Sequence, residues 1–168
     1  MTGTTPTRVE FDDRGPRTTY DKITVGEPLG ELEWIVTREN VDGLIVNDQD
    51  FQECYERPGF FEDAIVPPMA TYPPVRMLFT RRFNVRGVFF RFESEFIRPI
   101  RYGERIKITG AISDKYIRRN REYVTYEARG VDEDGNVVFR TSRTHALDYI
   151  TRDRPRAGKG VDSGLLSS

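Results

Sequence analysis

Apolar and polar residues alternate along the second half of the chain, a pattern typical of strands with one buried face. In GVFFRFESEFIRPI (87–100) the even-numbered positions from 88 to 96 are apolar apart from one serine, and they are Val88, Phe90, Phe92, Ser94 and Phe96. The segment ERIKITGAI (104–112) repeats the alternation, and REYVTYEARGVD (121–132) continues it. The sequence EDGN (133–136) favours a hairpin turn before VVFRTSRTHALDYI (137–150). The second half therefore predicts four long antiparallel strands.

The first half has helical spacing. After ELEWIV (31–36), which predicts a short strand, Thr37 is a candidate N-cap, and apolar residues recur at helical intervals through Val46. The segment PPVRMLFTRR (73–82) predicts a helix whose prolines lie in the first turn, where a missing N–H costs nothing. A sheet with one apolar face needs a cover, and these helices can supply it. The predicted class is α+β.

Length and composition indicate one folded domain. The 168 residues suit a single core, which we expect over residues 19–152. Residues 1–18 are rich in Thr, Pro, Gly and charge, and residues 153–168 carry few bulky apolar side chains. We therefore predict a disordered N-terminal arm and a flexible C-terminal tail.

The same composition excludes several functional classes. One cysteine and one histidine, Cys54 and His145, cannot build a disulfide framework or a histidine-rich metal site, and we expect no metal and no other cofactor. The net charge of −1 provides no general attraction to nucleic acid. No apolar leader or membrane-spanning run is evident, so we expect a cytoplasmic protein.

The motifs resemble one family. VNDQDFQECY (46–55) followed by AIVPPMA (64–70), and then FIRPIRYGERIKITGAI (96–112), are similar to the MaoC-like and FAS1-like dehydratases, which include the (R)-specific enoyl-CoA hydratases. The resemblance extends over about residues 20–150. It implies the hotdog fold, in which an antiparallel sheet wraps around a central helix.

The resemblance implies a catalytic segment of the form Asp-x-Asn-Pro-x-His, or a variant ending in Tyr. If Asp48 occupies the first position, Glu53 stands where the family has its histidine, and the two carboxylates would be the catalytic pair. If Asp50 occupies the first position, Tyr55 falls at the last. The sequence alone does not choose between these two alignments.

The resemblance also implies that the turn ahead of the central helix binds the thioester oxygen. Prolines supply no N–H, so after Pro68 the backbone N–H groups of Met69, Ala70 and Thr71 are the candidate donors, helped by the helix dipole. His145 and Phe139 are both odd-numbered residues of the last strand, so we expect their side chains on the same face. We interpret it as a core histidine, with a role in substrate binding as the alternative.

The resemblance implies a hydratase or dehydratase of an acyl thioester, foremost a 2-enoyl-CoA, although an acyl-carrier-protein thioester is also compatible. The alternative is a catalytically silent hotdog subunit that binds acyl thioesters and supports an active partner, since the family histidine is missing from its place. We expect a homodimer or higher oligomer, or a heteromer with a second hotdog subunit. No nucleic-acid or membrane partner is expected.

Overall fold

The computed structural model describes residues 16–85 and 87–147. Most of the predicted N-terminal arm, all of the predicted tail, residues 148–152 and Arg86 lie outside this part of the chain. Two short 3₁₀ turns cover Tyr20–Lys22 and Pro68–Thr71. The helices are α1 (Arg38–Asp48), the single turn α2 (Glu53–Glu56) and α3 (Tyr72–Arg82). The strands are β1 (Pro28–Ile35), β2 (Gly87–Phe96), β3 (Arg105–Arg118), β4 (Arg121–Val131) and β5 (Val137–Leu147).

The five strands form one antiparallel sheet in the order β1-β3-β4-β5-β2. The predicted α+β class and the four long strands of the second half are confirmed. The turn around Gly135, at φ 83°, joins β4 to β5 as predicted. Strands β1 and β2 are the two edges of the sheet.

Helix α3 lies against the sheet and provides the centre of the core. Phe79 is fully buried; its ring stacks on Tyr126 of β4 at 4.5 Å between centroids and on His145 of β5 at 5.2 Å. At the start of the same helix, Tyr72 meets Phe89 of β2 edge-on at 5.2 Å. Because these contacts reach separate strands, α3 occupies the position of a central helix in a curved sheet.

Helix α1 begins where the sequence predicts. The Thr37 hydroxyl accepts a hydrogen bond from the Asn40 N–H at 3.3 Å, so Thr37 is the N-cap. The buried side chains of the helix are Val41 and Ile45, which are four residues apart and therefore share a face. Within the described residues, no helix is both long and apolar enough to cross a membrane.

For the first part of β2, the sequence predicts the wrong side chains on the buried face. The register against β5 shifts between Phe89 and Arg91, where one extra residue bulges out of the strand. Phe89 therefore lies on the helix side, opposite His145, together with Phe92. Phe90 instead contacts Tyr123, at 5.0 Å between ring centroids. Strict alternation cannot anticipate a bulge because the extra residue is defined by the partner strand.

Candidate functional site

A carboxylate and a phenol meet between α1 and α2. The Tyr55 hydroxyl donates to Asp50 Oδ2 at 3.1 Å, and Gln52 Nε2 donates to Asp50 Oδ1 at 3.2 Å. Tyr55 is 7% exposed, and its pKa is raised to about 12 by burial and by the hydrogen bond to Asp50. The phenol therefore keeps its proton at neutral pH. Of the two alignments, the one that starts from Asp50 has its first and last residues in contact.

The other predicted pair has a different setting. Asp48 is the last residue of α1 and its side chain is exposed. Glu53 begins α2, is also exposed, and forms an ion pair with Arg57. Neither carboxylate has a hydrogen bond to the other or to His145 within the described residues. A catalytic role for Asp48 and Glu53 stays a prediction.

The turn Pro68–Thr71 leads directly into α3 and contains the predicted N–H donors. The Ala70 N–H donates to the Pro67 carbonyl at 2.9 Å, and the Thr71 hydroxyl donates to the Pro68 carbonyl at 2.9 Å. Ala70 and Thr71 are buried, whereas Met69 is partly exposed. The Ala70 N–H is therefore already used, which leaves the N–H groups of Met69 and Thr71 as the candidate donors.

An apolar cleft of about 290 Å³ opens beside this turn. It is lined by the turn residue Pro68, by residues before the turn, and by the last residue of β2 and the segment after it, chiefly Ile65, Val66, Phe96, Ile97 and Pro99. An acyl chain needs an apolar surface of this kind, and the cleft places such a surface beside Pro68, the first residue of the turn.

Arg143 of β5 was not identified from the sequence as a site residue. Its side chain is 2% exposed and donates to the carbonyls of Tyr72 at 2.9 Å and Thr71 at 3.3 Å. Burial lowers its pKa, although a guanidinium remains charged. The sequence did carry one signal: Arg143, like Phe139 and His145, is an odd-numbered residue of β5, and these side chains face the core. Arg143 ties the start of α3 to the sheet.

His145 lies in the core, as its parity predicts. It is 8% exposed, and its ring lies against Phe79, Phe89 and Tyr126. Its Nδ1 atom has no hydrogen-bond partner among the described residues. The pKa of His145 is lowered to about 4, first by burial and then by the charges of Arg76 and Arg143. The imidazole is therefore neutral at physiological pH.

By sequence, the chain matches no protein-family model and no curated protein. Solved structures do match. A monoamine oxidase regulatory protein from Archaeoglobus fulgius aligns with a TM-score of 0.67 and 18% identity, over 78% of this chain and 94% of that one. The (R)-hydratase PhaJ1 from Pseudomonas aeruginosa aligns with a TM-score of 0.63 and 14% identity, over 78% and 86%.

A third structure, the ChsH1-ChsH2 complex from Mycobacterium tuberculosis, aligns with a TM-score of 0.61 and 13% identity, over 74% of this chain and 98% of that one. MaoC-like dehydratases are also among the matches. At these identities the likeness shows the fold. The expected hotdog fold, of the kind found in MaoC-like dehydratases and (R)-hydratases, is confirmed.

Proposed function

We propose that this chain is a hydratase or dehydratase subunit acting on an acyl thioester, foremost the reversible hydration of a 2-enoyl thioester carried on coenzyme A or on an acyl-carrier protein. The observation that carries the proposal is the hydrogen bond between Asp50 and Tyr55. These residues stand five apart, as the first and last positions of the family segment do. The apolar cleft beside Pro68–Thr71 and the hotdog fold support it.

Hydration adds a water oxygen to C3 of the enoyl group and a proton to C2. In our proposal the Asp50 carboxylate accepts a proton from the attacking water, while charge develops on the thioester oxygen as an enolate. The Met69 N–H at the positive end of α3 stabilises that oxygen. Transfer of that proton from Asp50 to C2 completes the addition of water and restores the Asp50 carboxylate. Tyr55 fixes the orientation of Asp50, since its own raised pKa makes it a poor base.

The exposed edge of the sheet supports an oligomer. Among the described strands, β2 is an edge of the sheet, and it carries partly exposed phenylalanines at positions 90, 92 and 96. Exposed apolar edge strands are covered in stable proteins. We propose that β2 lies in an interface with a second copy or with a second hotdog subunit.

A second candidate is a silent subunit that binds the acyl chain and supports an active partner. The exposure of Asp48 and Glu53 and the raised pKa of Tyr55 favour it, because neither exposed carboxylate has, among the described residues, a hydrogen-bond partner that would hold it towards a water, and the phenol keeps its proton. The ChsH1-ChsH2 structure is an example of a complex between two named components on this fold.

The two candidates are separated by incubating the purified protein with crotonyl-CoA and longer enoyl-CoAs and following the loss of enoyl absorbance. If the chain is a hydratase through Asp50, Asp50→Asn lowers turnover about 100-fold or more, while Asp48→Asn and Glu53→Gln serve as matched controls. The reverse ranking would assign the chemistry to Asp48 and Glu53. Turnover that appears only after a second hotdog subunit is added would establish the silent role.

A further inference from the structure

The turn ahead of α3 has one backbone donor that the fold does not use. It is a 3₁₀ turn, in which each N–H donates to the carbonyl three residues earlier. The N–H groups of Ala70 and Tyr72 make such bonds, and the same spacing assigns the Thr71 N–H to the Pro68 carbonyl. The Met69 N–H has no hydrogen-bond partner among the described residues. Since proline has no N–H, Met69 carries the free donor of the turn.

The hydroxyl of Thr71 serves this turn and not the helix that follows. Thr71 stands at the N-cap position of α3, where a threonine hydroxyl commonly accepts a bond from the helix, but it makes no such bond here. The hydroxyl donates instead to the Pro68 carbonyl at 2.9 Å. Thr71 is 3% exposed, and Arg143 donates to its carbonyl at 3.3 Å. Thr71 is therefore fixed to the sheet and holds the turn in place.

The bond from the Thr71 hydroxyl also sets the direction of the free donor. The Pro68 carbonyl and the Met69 N–H belong to one peptide unit, which is planar and trans. In a trans unit the C=O and the N–H point in opposite directions. Because the carbonyl points to the buried Thr71 hydroxyl, the Met69 N–H points away from it. A hydrogen bond to the carbonyl also polarises the peptide unit, which strengthens its N–H as a donor.

We propose that Thr71 is a positioning residue, whose hydroxyl holds the Pro68–Met69 peptide so that the Met69 N–H meets the thioester oxygen. The inference rests on the proposed function. Pro68 lines the apolar cleft, so the peptide that carries the donor also borders the surface for the acyl chain. The hydrogen bond to the oxygen strengthens as enolate charge develops, and its geometry therefore matters most in the transition state. Thr71 acts through Met69 and touches no reacting atom.

The donor is tested first in the unaltered protein. The chain has three methionines, of which Met69 and Met77 lie in the described residues, so [¹⁵N]methionine labelling gives a simple amide spectrum. We expect butyryl-CoA, a saturated thioester that cannot be hydrated, to move the Met69 amide proton downfield in a saturable way. The Met77 amide should not move, because its N–H is used within α3. Coenzyme A without an acyl group lacks the thioester carbonyl and should not reproduce the shift.

Thr71→Val removes the hydroxyl at nearly constant size, and Thr80→Val is its matched control. Thr80 lies in α3, and its hydroxyl also donates to the carbonyl three residues earlier, that of Met77, at 3.4 Å. Removing an oxyanion donor lowers kcat about 100- to 1,000-fold. Because Thr71→Val loosens the donor without removing it, we expect kcat on crotonyl-CoA to fall about 10-fold or more and KM to change less than about twofold. Thr71→Ser, which keeps the hydroxyl, should recover most of the loss, and Thr80→Val should behave as the parent does.

The proposal is overturned if butyryl-CoA gives no saturable shift of the Met69 amide, or if coenzyme A alone gives the same shift. It is also overturned if Thr71→Val keeps kcat within about twofold of the parent value, or raises KM at unchanged kcat, which is the pattern of a residue that only shapes the cleft. If Thr71→Val does not fold, Thr71→Ala takes its place with the same expectations, since it adds no methyl group against the Pro68 carbonyl.

Failure of the proposed activity would look different. A protein that turns over no enoyl-CoA can still show the Met69 shift with butyryl-CoA. If that shift is reduced in Thr71→Val and retained in Thr80→Val, the chain is a thioester-binding subunit in which Thr71 has the role proposed here. A protein that hydrates crotonyl-CoA but shows no Met69 shift with butyryl-CoA would keep the proposed activity, and the role of Thr71 would be refuted.

Discussion

Burial of a neutral histidine makes the stability of this protein depend on pH in a defined window. In the unfolded chain the pKa of His145 returns to about 6.5, whereas in the folded protein it is lowered to about 4. Above pH 6.5 both states are neutral at this residue. As the pH falls below that value, the unfolded chain takes up a proton that the folded core does not, so the free energy of unfolding decreases.

The size of the effect follows from the two values. The difference of about 2.5 pH units multiplied by about 1.4 kcal/mol per unit gives about 3.5 kcal/mol in full. Roughly 3 kcal/mol of this is lost between pH 7 and pH 4, because at pH 4 the folded protein also binds the proton in about half of its molecules. Typical domains have only about 5–15 kcal/mol in total, so the loss is a large part of the stability. Asp21 and Asp132 have lowered pKa values, owing first to hydrogen bonds from Thr19 and Arg98. Their contribution is therefore lost only at still lower pH.

The measurement is urea unfolding at several pH values from 4 to 7.5. His145→Phe keeps an aromatic ring between Phe79 and Tyr126 but removes the titrating group, so it is the matched control. We expect the parent curve to fall about 3 kcal/mol further than the curve of the variant. Parallel curves within about 0.5 kcal/mol, or a His145 pKa near 6.5 by NMR, would refute the reasoning.

Three further predictions concern stability, each measured by urea unfolding at pH 7. Arg143→Met should cost about 2 kcal/mol or more, because two buried carbonyls lose a charged donor. The matched control Arg140→Met, at an exposed arginine of the same strand, should change stability by less than about 0.5 kcal/mol. Equal effects would contradict the conclusion that Arg143 ties the start of α3 to the sheet. Phe79→Ala should cost about 3–5 kcal/mol through the cavity it leaves, against a small change for Phe60→Ala, whose side chain is 98% exposed. Thr37→Ala should cost about 1 kcal/mol by removing the cap of α1. An unchanged free energy of unfolding would mean that water replaces the hydrogen bond between Asn40 and Thr37.

The parts of the fold that depend on local sequence were predictable. The cap at Thr37, the prolines at the start of α3 and the turn at Gly135 are each specified by a few neighbouring residues, and all three occur as expected. The parity of β5 correctly placed His145 in the core. These features require no knowledge of what packs against them.

The parts that failed depend on partners distant in sequence. The bulge at Phe90 exists only relative to β5. Arg143 could not be assigned a role because its acceptors, the carbonyls of Thr71 and Tyr72, are about seventy residues away. The contact between Asp50 and Tyr55 likewise depends on the path of the chain between α1 and α2, which the residue pattern does not specify.

The bulge in β2 also makes the length of this strand adjustable by one residue. Phe89 pairs with His145 and Arg91 pairs with Thr144, so Phe90 between them has no partner residue on β5. A chain lacking Phe90 would keep Phe89 and Phe92 on the helix side and every later pair in register. Related proteins can therefore differ by a one-residue deletion here without any change in the core, and sequence alignments through this strand should place their gap at Phe90.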